Sequence, residues 1–171
     1  KAGYPNVPVI SINLSGLESN PGFTFTPKLI QHGLYALEFG DIFLRCLYAT
    51  RPYEAVPGSA NELHEKWKKK IIAFITQDKI LSHKKYKQMC REIIRDFDNL
   101  PRLDIKKPRV GIVGEILVKF HPAANNYLAD LLESEGAEAV VPDLTDFLLY
   151  CFYNTGFKAD NLGFSQKSKR I

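Results

Sequence analysis

The chain has 171 residues, 45% hydrophobic and 25% charged, with a formal net charge of +4. This is enough chain, of ordinary globular composition, to bury one sizeable core. No apolar run approaches the roughly 20 residues that cross a bilayer, so no membrane role is expected. Cys46, Cys90 and Cys151 stand far apart with no CxxC pair. That pattern favours a reducing cytoplasm over a disulfide framework. The chain opens at Lys1 without Met, in "KAGYPNVPV", and is read as a piece of a longer polypeptide.

"VPVISINL", residues 7–14, alternates β-branched with small or polar residues and predicts a buried strand. The long loop "SGLESNPGFTFTP" follows. Thr26 before Pro27 marks a helix start, and the helix runs through "KLIQHGLYALEFGDIFLRCLYAT". Gly40 is expected to bend or divide it. After the loop "RPYEAVPGS", Ser59 and Glu62 fit a capping box. Leu63, Trp67, Ile71 and Phe74 then recur at helical spacing. Ser82 opens another amphipathic helix, with Tyr86, Cys90, Ile93 and Phe97 in line.

Residues 62–109 hold 14 Lys/Arg against 7 Asp/Glu, a net of +7, which leaves −3 on the remainder. The excess falls on the outer faces of two amphipathic helices. No aromatic platform is interleaved with it, so solvation accounts for it better than nucleic-acid binding.

Next come a short strand at residues 110–113, a helix starting at Pro122 or Asn125 with apolar line Leu128, Leu131 and Leu132, and Gly136 at the C′ position. "AEAVVP" reads as a second strand, and Asp143 as the cap of a last helix, "LTDFLLYCFYN". Strand, crossover helix and strand make a βαβ unit with parallel strands. The expected fold is α/β: a small parallel sheet in three layers, Rossmann-like or flavodoxin-like. It divides into a strand–loop–helix (5–58), a helical insert (59–104), the βαβ unit with its helix (105–153) and a polar tail (157–171). The sheet is completed by further chain if three strands are too few.

In open α/β sheets ligands bind outside the carboxyl ends of the strands, where both long loops fall. Gly111 and Gly114 give GxxG rather than GxGxxG, and no GxxxxGK[ST] is present, which disfavours nicotinamide and nucleoside-triphosphate sites. What remains is a polar set: Asn13, Ser15 and Gly16 after the first strand; Gly114, Glu115, Lys119, His121, Asn125 and Asn126 after the second. Two readings stand side by side. Lys119 with the helix amides near Asn125 would hold a phosphate or carboxylate, with Glu115 orienting the ligand or acting as a base. Alternatively Asn125 is a helix cap, His121 packs the loop and Lys119 is solvated. Arg51, in "RPYE", likewise either clamps an anion in bidentate fashion or caps the preceding helix. The cysteines read better as small buried hydrophobes than as cluster ligands. No catalytic constellation and no metal site is specified.

"RVGIVGEILVKFHPAANNYLADLLESEGAEAVVPDLTDFLLY", with "VISINLSGLESNPGFTFTP" and "GDIFLRCLYATRPYE", resembles the 2-hydroxyacyl-CoA dehydratase group. It is most similar to the multidomain activators of (R)-2-hydroxyglutaryl-CoA dehydratase. The resemblance covers roughly residues 5–58 and 105–153. It implies a bacterial cytoplasmic protein in a system where an actin-like ATPase with a [4Fe-4S] cluster passes one electron to the dehydratase. This chain looks like the dehydratase-like part, so the cluster and ATP are expected elsewhere in the full-length protein and no cofactor here. Dehydratase subunits supply a cluster cysteine just after the equivalent of "VVPDL"; this chain has Thr145 there.

The resemblance implies a domain that binds an acyl-CoA or a protein partner, with Arg51, Lys119, Asn125 and Asn126 on the ligand and Asn13 and Glu115 shaping the pocket. Its partners would be dehydratase subunits or other domains of the same chain, and alone it would be inactive. The rival reading is a non-catalytic scaffold module that docks a sister domain. An iron–sulfur carrier using Cys46, Cys90 and Cys151 is the third.

Overall fold

Thr26 caps the first helix as its residue type demands: its hydroxyl accepts from the Leu29 amide at 3.1 Å, and Pro27 fills the first helical position. The computed structural model describes residues 26–162. The strand expected at residues 7–14 lies outside the described residues, and with it Asn13, Ser15 and Gly16. From the Thr26 cap, α1 (Pro27–Thr50) runs for 24 residues as one helix. Gly40 does not divide it, because Phe39 and Phe43 on either side are buried. Their packing outweighs the weak helical preference of one glycine.

Helices α2 (Ser59–Ile75) and α3 (His83–Asp98) pack on α1 as the apolar spacing predicts. Their shared core contains Phe39, Phe43, Trp67, Ile71, Phe74, Met89, Ile93 and Phe97. Leu81, between the two helices, joins it, fixed by Gln31, whose amide meets both its N–H and its carbonyl. The stretch treated as an insert is thus part of the main core. Ser82 caps α3, accepting from the Lys85 amide.

The expected capping box at α2 does not form. The N-cap is Gly58, at φ +89°, and Ser59 is already helical. Glu54 caps the helix instead, accepting from the Gly58 amide at 2.6 Å, the Ala60 amide at 2.9 Å and the Ser59 hydroxyl at 3.3 Å. A glutamate one turn upstream reaches the free amides more directly than Ser59 can once the chain enters through a left-handed glycine.

Residues 109–143 form the expected βαβ unit. β1 (Arg109–Gly111) pairs in parallel with β2 (Glu138–Val140), Val110 opposite Ala139. These two strands are the whole sheet among the described residues. Between them the chain makes α4 (Ile116–Phe120), a 3₁₀ turn at Pro122–Asn125 and α5 (Leu128–Ser134). The crossover helix therefore starts later than Pro122 or Asn125, since Asn126 and Tyr127 both take left-handed conformations and interrupt it. Gly136 ends α5 as expected, in a Schellman arrangement: the Ala137 amide donates to the Leu132 carbonyl and the Gly136 amide to that of Glu133. A small second core of Ile112, Ala129 and Ala139, flanked by Tyr48, Leu128, Leu132 and Val141, packs the unit on α1.

The last helix, α6 (Leu144–Asn161), runs two turns beyond its expected end. No proline stops it, and Gly156 alone costs only about 1 kcal/mol. Asp143 sits at its N-cap without bonding its amides. The buried carboxylate of Asp41 on α1 takes that role, accepting from the Leu144 and Thr145 amides at 2.9 and 2.8 Å. No helix among the described residues is long and apolar enough to cross a membrane. The architecture is α/β, mostly helical, with a two-stranded parallel sheet.

Gly136 stands at φ +87°, so Gly136→Ala places a Cβ in the left-handed region and should cost about 1–2 kcal/mol. Urea unfolding followed by circular dichroism measures it; an unchanged midpoint would show that this turn relaxes freely.

Candidate functional site

The loop "GEILVKFHPAANN" spends its polar groups on itself. Gly114 turns the chain out of the sheet at φ +144°, a backbone conformation that side chains rarely adopt. Glu115 caps α4, its carboxylate accepting from the Leu117 and Val118 amides at 2.8 and 3.3 Å. His121 Nδ1 accepts from the Ala124 amide. Asn125 bridges the two helices: its amide group donates to the Val118 and Lys119 carbonyls, and its oxygen accepts from the Leu128 amide at 3.1 Å. Lys119 places its ammonium 4.7 Å from the centre of the Phe120 ring. Asn126 is exposed, at φ +55°. The contacts of Asn125 and His121 are of the kind the capping reading describes, whereas the cap made by Glu115 belongs to neither reading.

The "RPYE" residues are equally committed. Arg51 meets a carboxylate in bidentate fashion, and the carboxylate is the protein's own: Nε and Nη2 donate to Glu133 at 2.6 and 3.0 Å, and Nη2 reaches Asp130 at 2.7 Å. Burial disfavours the Arg51 charge, and the bonds to Glu133 and Asp130 outweigh it, so its pKa rises. Tyr53 donates to Glu138 at 2.8 Å, which raises the pKa of its phenol. Glu138, buried in β2, also accepts from Arg109 Nε at 3.0 Å.

Arg51 reaches the loop by way of α5. Its partner Asp130, together with Tyr48, Lys119, Asn125 and Tyr127, lines a single small cavity. Of the sequence-derived set only Lys119 and Asn125 line this cavity, at the carboxyl edge of the strands; Arg51, Gly114, Glu115 and Asn126 do not. The space inside is only about 40 Å³, against the roughly 300–1,000 Å³ of small-molecule sites. The start of α5 is also a poor place for an anion. Asn125 occupies the Leu128 amide, and Asp130 puts a negative charge in the first turn.

A larger cleft of about 400 Å³ lies beside it, lined by Gly40, Leu44, His64, Phe120 and Leu144. His64 stacks edge-on against Phe43, ring centres 4.8 Å apart, and burial lowers its pKa. Nothing in the sequence singles His64 out, since it falls beside Leu63 on the apolar side of α2. Asp130, Glu133 and Glu138 were missed for a related reason: each looks like an ordinary exposed helix or strand charge until Arg51 or Tyr53 is placed against it.

Burial pushes the Cys46 thiol up to about 11 and raises that of Cys90, while Cys151 is exposed. Among the described residues no three His, Cys, Asp or Glu side chains group as metal ligands.

The fold and site define a mostly helical α/β protein whose polar loop is closed on itself at the strand ends. No protein-family model, no curated protein and no solved structure matches the chain.

Two outcomes check this site. Arg51→Lys keeps the charge without the fork and should lose about 1–2 kcal/mol. Arg51→Ala leaves Glu133 unpaired and should lose about 2–3 kcal/mol in the same urea unfolding. At pH 8 Ellman's reagent should titrate Cys151 fast and Cys46 only as the chain unfolds, because the thiolate is the reacting species. A fast phase surviving in Cys151→Ser would place a reactive thiol at Cys46 or Cys90.

Proposed function

We propose that this chain is a non-catalytic docking domain of a protein related to the 2-hydroxyacyl-CoA dehydratases and their activators. What supports the relationship is the joint pattern of "GEILVKFHPAANN" with "EGAEAVVP". What carries the docking reading is α6, on which Tyr150, Phe152, Tyr153 and Phe157 are 60, 67, 76 and 52% exposed. Large apolar side chains crowded on one element mark a surface that another protein covers. In this reading residues 7–14 add a third parallel strand and complete a three-layer, Rossmann-like sheet. Among the described residues β1 and β2 pair only with each other, which leaves strand edges open to such an addition. The partner is a dehydratase subunit or another domain of the same polypeptide, in a bacterial cytoplasm. The [4Fe-4S] cluster and ATP belong to those other parts.

A second reading keeps the acyl-CoA, in the 400 Å³ cleft rather than the 40 Å³ cavity. Its volume suits an acyl chain or a pantetheine arm.

Calorimetry with CoA and 2-hydroxyglutaryl-CoA separates the two. The docking reading expects no saturable heat. It also expects anilinonaphthalene sulfonate fluorescence with the wild type to fall by more than about half in Tyr153→Lys/Phe157→Lys, as that dye reports exposed apolar surface. Saturable thioester binding, lost in Phe120→Glu or Lys119→Ala, would replace docking by the thioester site.

A further inference from the structure

The two outer edges of the small sheet differ in what they need. Between the strands, the Ile112 amide donates to the Val140 carbonyl and the Glu138 amide to the Pro108 carbonyl, both at 2.8 Å. Glu138 and Val140 thus turn their backbone groups toward β1. By strand alternation Ala139 turns its N–H and C=O to the opposite edge. On β1 the register leaves Val110 facing β2, with Arg109 and Gly111 facing outward. All three residues of β1 are exposed, so water can serve that edge. Ala139 is only 2% exposed. Among the described residues its amide and carbonyl have no partner. Buried backbone groups are nearly always paired, so it is β2 whose outer edge requires a neighbour.

There is room for one. A groove of about 380 Å³ runs between α1 and β2, lined by Leu44, Arg45, Tyr48 and Ala49 and by all of residues 138–142. Five consecutive residues present both side-chain directions, as they do along a strand's edge and not over one of its faces. A second orphan lies just past the groove. The Thr145 hydroxyl, in the first turn of α6, is buried without a partner among the described residues.

We infer that the outer edge of β2 is a strand-accepting groove and that residues 7–14 of the same chain occupy it. The inference rests on the third strand of the proposed function and adds its place, in the order β1, β2, third strand. An extended chain is the one partner that supplies a carbonyl and an amide together to a strand edge. "VPVISINL" has the β-branched alternation for it, and Pro8 falls at its start, where a missing N–H is tolerated. The connection is long enough. In the parallel sense Leu14 comes to the Pro142 end of the groove, beside Leu44. Along α1, Leu44 lies about 26 Å from Pro27, and the chain from Leu14 to Thr26 reaches about 40 Å when extended. The tether also favours this segment over a strand from a separate molecule. Asn13, Ser15 and Gly16 then lie near the first turn of α6, with β2 between them and the loop of Lys119. The two halves of the sequence-derived polar set therefore do not share a site.

Nuclear magnetic resonance of the 171-residue chain tests this. In the wild type the Ala139 amide should show Overhauser contacts to backbone protons of residues 7–14, and the Gly111 amide none. Val9→Pro/Ile10→Pro removes one amide from each edge of the added strand. It should speed hydrogen exchange at Ala139 by about tenfold or more and leave Ile93, in the helical core, unchanged. Contacts at Gly111 in place of Ala139 would move the strand to β1: the third strand would stand and the edge assigned here would fall. Contacts at neither would remove both. Contacts at Ala139 that fade on dilution, with a dimer in sedimentation, would give the groove to a second copy and overturn the same-chain assignment.

Discussion

What fixes the second half of this protein to the first is charge more than apolar area. The α1–α3 core buries five aromatic rings and a set of large aliphatic side chains. The core beneath the βαβ unit buries Ile112 and two alanines, with partly covered neighbours. Alanine contributes little burial energy, so the unit depends on the polar links that run to α1 and the turn after it. Arg51 grips Glu133 and Asp130, Asp41 holds the first amides of α6, Arg45 pairs with Asp143, and Tyr53 bonds Glu138. Half-buried pairs of this kind cost little to keep and much to break singly, because the survivor is left without its partner. They also fix orientation, which small apolar contacts do poorly.

The same logic answers why a connection of thirteen residues stands where a few suffice. The loop is long because it contains its own helix, its own 3₁₀ turn and the caps of both. Each of Glu115, His121 and Asn125 satisfies backbone groups that would otherwise be stranded between two short helices. A loop so occupied positions α5 for Arg51, and the small cavity it encloses has no room for a thioester.

Locally encoded features were legible in the sequence. Thr26 with Pro27, Ser82, the glycine turn at Gly136 and the parallel pairing of residues near 110 and 139 all rest on contacts within a few residues or on a simple apolar period. Two caps were misjudged for one reason. Ser59–Glu62 and Asp143 carry the right local chemistry, but Glu54 and Asp41 reach the same amides from outside the motif, Asp41 from 103 residues away. The position of Asn125 was legible and its role was not, since a cap and an anion contact require the same residue type at the same place. Arg51 is the sharpest case: its sequence context left open a clamp on a ligand anion or a helix cap, and the carboxylates it meets, Glu133 and Asp130, had no local signature.

The separation of these links along the chain sets an order for assembly. The three helices spanning residues 27–98 close their core with contacts no more than about sixty residues apart, and helical contacts of that kind form quickly. The clamps on the βαβ unit join residues 79 to 104 positions apart. On a ribosome the helical half has its aromatic residues in hand before Glu133, Asp143 and Glu138 have emerged. Arg51, Tyr53 and Asp41 then wait on a formed surface for carboxylates and amides still being synthesised. The first half thereby acts as the template on which the second is laid down.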